Sequence, residues 1–339
     1  MNQINLFLKK SVNLKRIVNA AKNQMSLLLS NVFHRAVVWG NAPVIMIEPT
    51  NICNLRCPLC PSGNGTLKRA KGYMDLDLYK KIIDDVKDYA VEAVLWNQGE
   101  PFLHKDILEM IKYASDAGLF VLLSTNVNVM PDPEKLVRSG LDSLIVSLDG
   151  AEQETYNKYR INGNLQKVKE NVQNLVSAKK KLNSVTPYLR WQFIVMKHNE
   201  HEIEEIKAMA KKSGVDKLEL KTAQIYSKED VFNYLPENPK YRRYKITGNN
   251  FELKFGIQNK CRRIWTTAVI NWDGEMSVCC FDKDVDFKIG NVKEKSVGEL
   301  FKSEKFNKIR NIILKNRKSL EICRNCGEGV KLRVKNNPD

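Results

Sequence analysis

The chain has 339 residues, 43% of them hydrophobic and 28% charged, with a formal net charge of +16. That is enough chain for one large domain and a smaller one with a sizeable core, and no apolar run approaches the length that spans a membrane. Eight cysteines in short spacings fit metal binding in a reducing cytoplasm better than disulfides.

Residues 1–43 form a basic segment, predicted mostly helical. Lys9, Lys10, Lys15, Arg16, Lys22 and Arg35 precede the first acid, Glu48. Leu6, Leu8, Val12, Ile17, Ala20, Leu27, Leu28 and Val32 mix with them at helix-compatible spacing. The segment lacks the clean apolar core and small-residue cleavage site of a signal peptide. It reads as a solvated helix, or as an interfacial helix in which residues 1–40 rest peripherally on an anionic membrane. Nucleic acid is the least supported partner, because no recognised module is present and the aromatics do not interleave with a basic stripe.

From residue 44 to about 250 the pattern alternates strand, loop, helix. The predicted strands are Val44–Ile47, Val91–Trp96, Leu119–Ser124, Ser143–Ser147, Leu189–Met196 and Lys217–Lys221. The predicted helices lie near 75–88, 104–117, 132–139, 165–181 and 200–213. Asp75 is a helix N-cap signal, and Gly118, Gly140 and Gly214 fall where helices should stop. Short Val-, Ile- and Leu-rich strands alternating with helices imply an α/β fold, either a doubly-wound sheet or an incomplete barrel. The polar residues gather just past the strand C-termini, where both folds place their chemistry. Residues 251–330 break this rhythm. Thr267–Asn271 and Glu275–Cys279 read as a β-hairpin about Asp273-Gly274, Gly290-Asn291 as a turn, and Phe301–Lys315 as one basic amphipathic helix. Such a segment is expected to have little core of its own, so that a metal cluster would supply folding energy. Residues 331–339 are a basic tail.

Cys53, Cys57 and Cys60 read C-x3-C-x2-C. Three thiolates can hold a four-iron cluster and leave one iron without a protein ligand, whereas ordinary electron carriers usually use four cysteines. The spacing is too tight for the usual structural zinc site, which takes two separated ligand pairs. A zinc completed by a distant residue is the other metal reading. Cys261, Cys279, Cys323 and Cys326 can close the coordination of a second cluster or of one zinc. Cys280 stands beside Cys279; in a strand the two point to opposite faces, so only one reaches a shared metal, and Cys279 is the choice.

The C53-N-L-R-C-P-L-C60 segment resembles the cluster motif of the radical S-adenosylmethionine (radical SAM) enzymes. Gly99-Glu100-Pro101 resembles the family's Gly-Gly-Glu motif, with Gln98 in place of the first glycine. Ser124-Thr125-Asn126 and Ser147-Leu148-Asp149-Gly150 resemble its cofactor-bordering segments, and Tyr159-Arg160 its carboxylate-binding arginine. Cys261, Trp272-Asp273-Gly274-Glu275 with Cys279, and Cys323-x2-Cys326 resemble the auxiliary-cluster region of the SPASM and twitch subfamilies, the shorter twitch arrangement fitting better. The resemblance implies a partial (β/α)6 barrel followed by a small hairpin-plus-helix auxiliary domain. It also implies two [4Fe-4S] clusters, S-adenosylmethionine, and an electron donor of the flavodoxin or ferredoxin type. In the implied roles Glu100 accepts the cofactor's methionine amine and Arg160 reaches its carboxylate. Asn126, Ser147 and Asp149 complete the implied contacts.

The chemistry expected is hydrogen abstraction by a 5′-deoxyadenosyl radical from a small-molecule substrate, polar and sugar- or cyclitol-like. Oxidation would follow through the auxiliary cluster. Gln192, Lys221 and Gln224 lie at or beyond predicted strand ends, as candidates to line the pocket and to supply a base. His198 and His201 read as surface or capping residues. The rival readings are a peptide- or lipid-modifying radical enzyme and a two-cluster electron carrier. Residues 1–43 are short for a precursor-binding domain, and methyl transfer would need a cobalamin domain that does not fit in this length.

Overall fold

The computed structural model describes residues 3–11, 13–248 and 250–328; the basic tail at 331–339 lies outside them. Two helices open the chain, α1 (Gln3–Ser11) and α2 (Leu14–Phe33). Six strands follow, β1 (Val44–Ile47), β2 (Glu92–Val94), β3 (Phe120–Thr125), β4 (Ser143–Ser147), β5 (Tyr188–Val195) and β6 (Lys217–Thr222). Each pairs in parallel with the next. The helices between them are α3 (Pro61–Asn64), α4 (Leu76–Val86), α5 (Ile107–Asp116), α6 (Pro133–Arg138), α7 (Gln153–Tyr159), α8 (Leu165–Lys181) and α9 (Ile203–Ser213). The Asp75 carboxylate caps α4 by accepting from the amides of Asp77 and Leu78. Gly118, Gly140 and Gly214 all take positive φ, which costs a residue without Cβ nothing and so ends the preceding helices.

Alternation along the strands separates two cores. Ile45, Ile47, Ala93, Leu95, Val121, Leu123, Leu144, Val146, Trp191 and Phe193 pack outward under the helices. Met46, Val94, Leu122 and Ile145 point the other way and form a separate apolar layer inside the curved sheet.

After β6 come α10 (Lys228–Tyr234) and a separate hairpin, β7 (Tyr244–Thr247) with β8 (Asn250–Leu253). The C-terminal part contains α11 (Arg263–Thr266), β9 (Thr267–Ile270), β10 (Glu275–Ser277), β11 (Lys288–Asn291), α12 (Val297–Lys302), α13 (Glu304–Asn316) and α14 (Glu321–Arg324). β9 pairs in parallel with β1 over four residues, and β10 and β11 continue antiparallel. The result is one nine-stranded mixed sheet in the order β11-β10-β9-β1-β2-β3-β4-β5-β6.

The C-terminal part has little core of its own, and Ile264, Trp265, Ala268, Ile270, Phe301 and Phe306 join the main core. Three details differ from the sequence reading. The basic helix expected over 301–315 is two helices, because Ser303 leaves α12 and caps α13 by accepting from the Phe306 amide. Gly290-Asn291 is strand rather than turn; a Cβ at Gly290 would lie 2.5 Å from Leu300, so the glycine lets α12 pack close. The second strand of the hairpin ends at Ser277, ahead of Cys279.

Candidate functional site

The loop after β1 carries the first three cysteines. Leu55 N–H points at Cys53 Sγ (3.4 Å), and the Cys60 amide bonds to the Cys57 carbonyl (3.1 Å), curling the loop so that its thiols share one region. Gly63 allows the turn to close, since a Cβ there would stand 2.6 Å from the Cys57 nitrogen. Leu55, Leu59, Tyr159, Met196, Ile225 and Leu235 surround the loop with apolar surface. Burial pushes the Cys53 thiol up to about 12 and raises Cys57, the latter opposed by Arg160. Thiols so desolvated become thiolates when cationic iron supplies the missing charge. No group of three His, Cys, Asp or Glu among the described residues is set to hold a metal ion. A four-iron cluster asks for something wider, with thiolates on separate corners, and the Cys53, Cys57 and Cys60 loop fits it.

The turn after β2 is packed onto that loop. Gly99 has φ +73°, and a Cβ there would lie 2.5 Å from the Thr50 carbonyl oxygen. The Glu100 amide donates to the Ile52 carbonyl (2.8 Å). The Glu100 carboxylate is buried and accepts from Thr125 Oγ1 (2.7 Å), the Asn126 amide (2.8 Å) and the Phe102 amide (3.1 Å). Burial nevertheless raises it to about 7. Three donors do not replace a counter-charge, so the pocket around Glu100 suits a cation. Asn126, just past β3, reaches Asn54 Oδ1 (2.9 Å) and lies 3.9 Å from Cys53 Sγ.

Ser147 ends β4, buried. Asp149, two residues on, is fully buried and spends one oxygen on the Ile194 amide (2.7 Å). Its other oxygen accepts from Arg160 Nε (2.6 Å) and Nη2 (2.5 Å). Arg160 Nη1 in turn lies 3.7 Å from Cys57 Sγ. Burial works against the Arg160 charge, but Asp149 and Cys57 outweigh it and raise its pKa. Asp149 thus aims Arg160 at the cysteine loop.

Cys261, Cys279, Cys323 and Cys326 line one enclosed apolar cavity with Ile264, Val278, Ile309, Ile313 and Ile322. All eight cysteines are free thiols. Burial raises Cys261 to about 11 and raises Cys279 and Cys323 as well. Arg317 stands at the cavity wall. Its Nη1 donates to the Lys260 and Glu328 carbonyls, while Nε and Nη2 are buried without such a partner among the described residues. Burial disfavours its charge, and Cys261, Cys326 and Cys323 outweigh that. A buried cation facing Cys261, Cys323 and Cys326 fits an anionic metal–thiolate centre. Cys280 packs against the layer inside the sheet and lies within electrostatic reach of Arg263, Cys326 and Glu328 at the edge of that cavity.

The three pocket candidates separate. Gln192 shares the inward face of β5 and stands in register with Glu219. Lys221 is half-exposed and pairs with Glu219 (3.1 Å). Burial would raise Glu219, but Lys217, Arg190 and Lys221 outweigh it and hold the carboxyl at about 2. Gln224 lies beyond β6, half-buried. His198 is half-buried against Tyr234, and burial lowers it to about 4.

Two groups escaped sequence reasoning. Glu48, at the end of β1, takes both oxygens to Arg69 (2.7 and 2.6 Å), and Asn97 donates to Asn271 Oδ1 (3.2 Å) while its own oxygen is buried without a partner among the described residues. Both join residues far apart in sequence, so no local spacing marks them.

Residues 47–212 match the radical SAM superfamily model, and residues 261–327 the SPASM iron–sulfur cluster-binding domain. The chain belongs to the radical SAM superfamily. It carries a C-terminal SPASM-type auxiliary domain, and it is an oxidoreductase that works through S-adenosylmethionine radical chemistry. Iron–sulfur clusters and S-adenosylmethionine are the cofactors of these two domains. It is similar to the tungsten-containing aldehyde ferredoxin oxidoreductase cofactor-modifying protein of Pyrococcus furiosus, 26% identical over 302 residues, 80% of this chain and 84% of that one. Further curated relatives are matched over less than half of their own length. The fold is similar to that of BtrN in complex with AdoMet and 2-DOIA (TM-score 0.54, 16% identity, 87% of this chain and 96% of that one). It is also similar to that of Streptococcus suis SuiB bound to precursor peptide SuiA (TM-score 0.62, 14% identity, 86% and 70%).

Proposed function

We propose that this radical SAM enzyme dehydrogenates a small polar substrate. The observation that carries this is the second cysteine set: four thiols enclose one apolar cavity, enough to close a cluster's coordination and leave no iron for substrate. Such a centre suits taking an electron from a substrate radical. When bound, the first cluster and S-adenosylmethionine together supply the hydrogen-abstracting 5′-deoxyadenosyl radical.

The chain's own residues do the rest. Cys53, Cys57 and Cys60 hold the first cluster. Glu100 receives the cofactor's ammonium group and Arg160, held by Asp149, its carboxylate; Asn126 and Ser147 border it. The apolar shell of Leu55, Leu59 and Tyr159 keeps water away from the reacting carbon. Inside the sheet, Gln192 and the unsatisfied Asn97 oxygen offer hydrogen bonds to substrate hydroxyls. Lys221 is paired with Glu219, so its role is binding. Gln224 lies at the rim. Electrons arrive from a flavodoxin- or ferredoxin-like donor. The likeness to BtrN, solved with 2-DOIA, supports a small substrate.

A second reading, modification of a peptide, is favoured by a groove beside the mouth. Val231, Phe232, Leu235, Ile246 and Phe251 line it, with Lys197 and Arg242 at its rim. SuiB, solved with its precursor peptide, shares the fold.

Deuterium-labelled candidate substrates decide between them. The proposal expects label in 5′-deoxyadenosine and a product lighter by two hydrogens, read by mass spectrometry. Label arriving from a peptide Cα or Cβ would establish the second reading instead. Anaerobic reconstitution should give about eight irons per chain, and about four after Cys53, Cys57 and Cys60 are replaced by Ala. Zinc at the second set under anaerobic isolation would refute the two-cluster assignment.

A further inference from the structure

Helix α2 is inside out. Its buried residues are Arg16, Asn19, Asn23, Ser26 and Ser30, all polar. Leu14, Ile17, Val18, Met25, Leu28, Val32 and Phe33 are exposed, Leu14 by 76% and Leu28 by 57%. A helix packed on a globular protein ordinarily shows the reverse.

The polar face is held by hydrogen bonds, with the Asn23 side-chain oxygen buried and without a partner among the described residues. Arg16 donates to the Lys87 (2.7 Å), Ala117 (2.8 Å) and Gly118 (2.5 Å) carbonyls. Those carbonyls lie where α4 and α5 end, and a cation complements helix C-termini. Asn19 bonds Asn41 and Tyr89; Ser26 and Ser30 accept from the Trp39 and Val37 amides. Asn23 reaches the Trp265 carbonyl. These partners precede β1, β2, β3 and β9, so α2 seals the end of the barrel opposite the cysteine loop. The docking uses hydrogen bonds and leaves the apolar side without a partner among the described residues.

The outer face repeats at heptad spacing, Leu14, Val18, Ala21, Met25, Leu28, Val32, and exposed Trp39 follows it. Ile4 and Leu8 of α1 are exposed as well. A contiguous apolar stripe of this length marks an interaction site. Its rim is basic. Lys15 meets Asp88 in a solvent-exposed ion pair (3.2 Å), Lys22 and Arg35 are exposed, and residues 1–47 hold no acid. Lys302 adds a cation near Lys22: burial first, then Lys22, disfavours its charge. Pairing with a second copy would bring two basic segments together with no carboxylate from residues 1–47 to offset them. Charge therefore selects an anionic occupant.

We propose that α2, apolar stripe inward and basic rim at the headgroups, docks the enzyme on an anionic lipid bilayer, with Trp39 at the interface. No helix among the described residues is long and apolar enough to cross, so the contact is peripheral. It leaves the barrel mouth facing away from the membrane.

Reconstituted full-length enzyme should sediment with phosphatidylglycerol-containing vesicles and stay in solution with pure phosphatidylcholine, binding weakening as salt rises. Replacing Lys22 and Arg35 with Glu should weaken binding about 25-fold or more, at about fivefold per lost charge. Val18→Glu, Leu28→Glu and Val32→Glu together should abolish it with circular dichroism and iron content unchanged. Brominated lipid should quench tryptophan fluorescence in wild type and not in Trp39→Phe. Failure to bind anionic vesicles at low salt overturns the proposal. So does a soluble wild-type dimer that the three Glu substitutions split into monomers without any lipid binding, which would give the face to a second copy.

Discussion

Glu100 is the residue whose titration reports the site. Its folded pKa is raised to about 7 by burial, above the ordinary carboxylate value, so the folded state binds the proton more tightly than the unfolded one. The stability this contributes is complete below the unfolded pKa and is lost as pH rises through about 7. In cofactor-free protein the loss is on the order of 3 kcal/mol. Glu100→Gln should therefore flatten the thermal midpoint of cofactor-free protein between about pH 4.5 and 7. Some slope will remain, because burial raises Glu92 to about 7 as well. The same variant should bind S-adenosylmethionine about 10- to 150-fold more weakly, the cost of one charge-assisted hydrogen bond, as measured by titration calorimetry. Asp149→Asn tests a different role. It strips the counter-ion from a buried Arg160 and should cost about 3–5 kcal/mol of stability, with cofactor affinity falling in parallel. Arg160→Lys should not restore affinity, because an ammonium cannot make the two-armed contact with Asp149. If calorimetry shows wild-type affinity in either variant, Arg160 has no part in cofactor binding. Cysteines in one loop and Glu100 beside Pro101 were readable because their spacing is local. Arg317 was not, since the Cys261 and Cys323–Cys326 thiols it faces come from separate stretches of chain, and the pairing of Asp149 with Arg160 appears only in the folded structure.

At the scale of elements, strands were legible wherever both faces are buried: β1 and β4 match the predicted runs residue for residue. The polar elements were not. Helix α7 and hairpin β7–β8 carry no strong apolar period, and α10 is announced only by Ser227, whose hydroxyl pairs with Asp230 in a capping box. The N-terminal segment was read as helical, but periodicity gives the direction of a stripe relative to the helix, never which side meets the protein. That choice is made at Gly40. A Cβ there would stand 2.9 Å from the Asn19 carbonyl oxygen and from the Asn23 nitrogen, so the returning chain lies directly on the polar face of α2. Gly40→Ala must push the two apart and disturb the Asn19 and Asn23 hydrogen bonds. It should cost about 1–3 kcal/mol, typical of overpacking, seen as a lower urea midpoint with an unchanged slope. An unchanged midpoint would mean that α2 is loosely held and that its exposed stripe has no fixed orientation.

The whole molecule is built around β1, which touches everything that matters. Its C-terminal end launches the cysteine loop, β2 lies on one side, and β9 on the other. The auxiliary-cluster part is thus joined to the barrel by strand pairing and by shared core. Trp265 is wholly buried in that core, with its indole N–H on the Val37 carbonyl (3.3 Å). Arg310 is buried between the Phe301 and Phe306 rings and donates to the Ile264 carbonyl (3.0 Å). Each large side chain lost from such a core removes ~1.5–3 kcal/mol of burial, and several would go at once against a total stability of only about 5–15 kcal/mol. A chain cut after residue 256 would also leave Val44–Ile47 as an unprotected edge, four apolar residues with free ladder groups. We expect residues 1–256 to aggregate or to unfold without cooperativity, even with the first three cysteines intact. The full chain with Cys323 and Cys326 replaced by Ala is expected to keep its barrel, because β9 and Trp265 remain. Hydrogen exchange at the β1 amides separates the two cases: slow in the cysteine variant, fast in the truncated chain. Slow exchange in residues 1–256 would show instead that the auxiliary part is an appended bead, and that the electron route between the two cysteine sets is not fixed by the shared sheet.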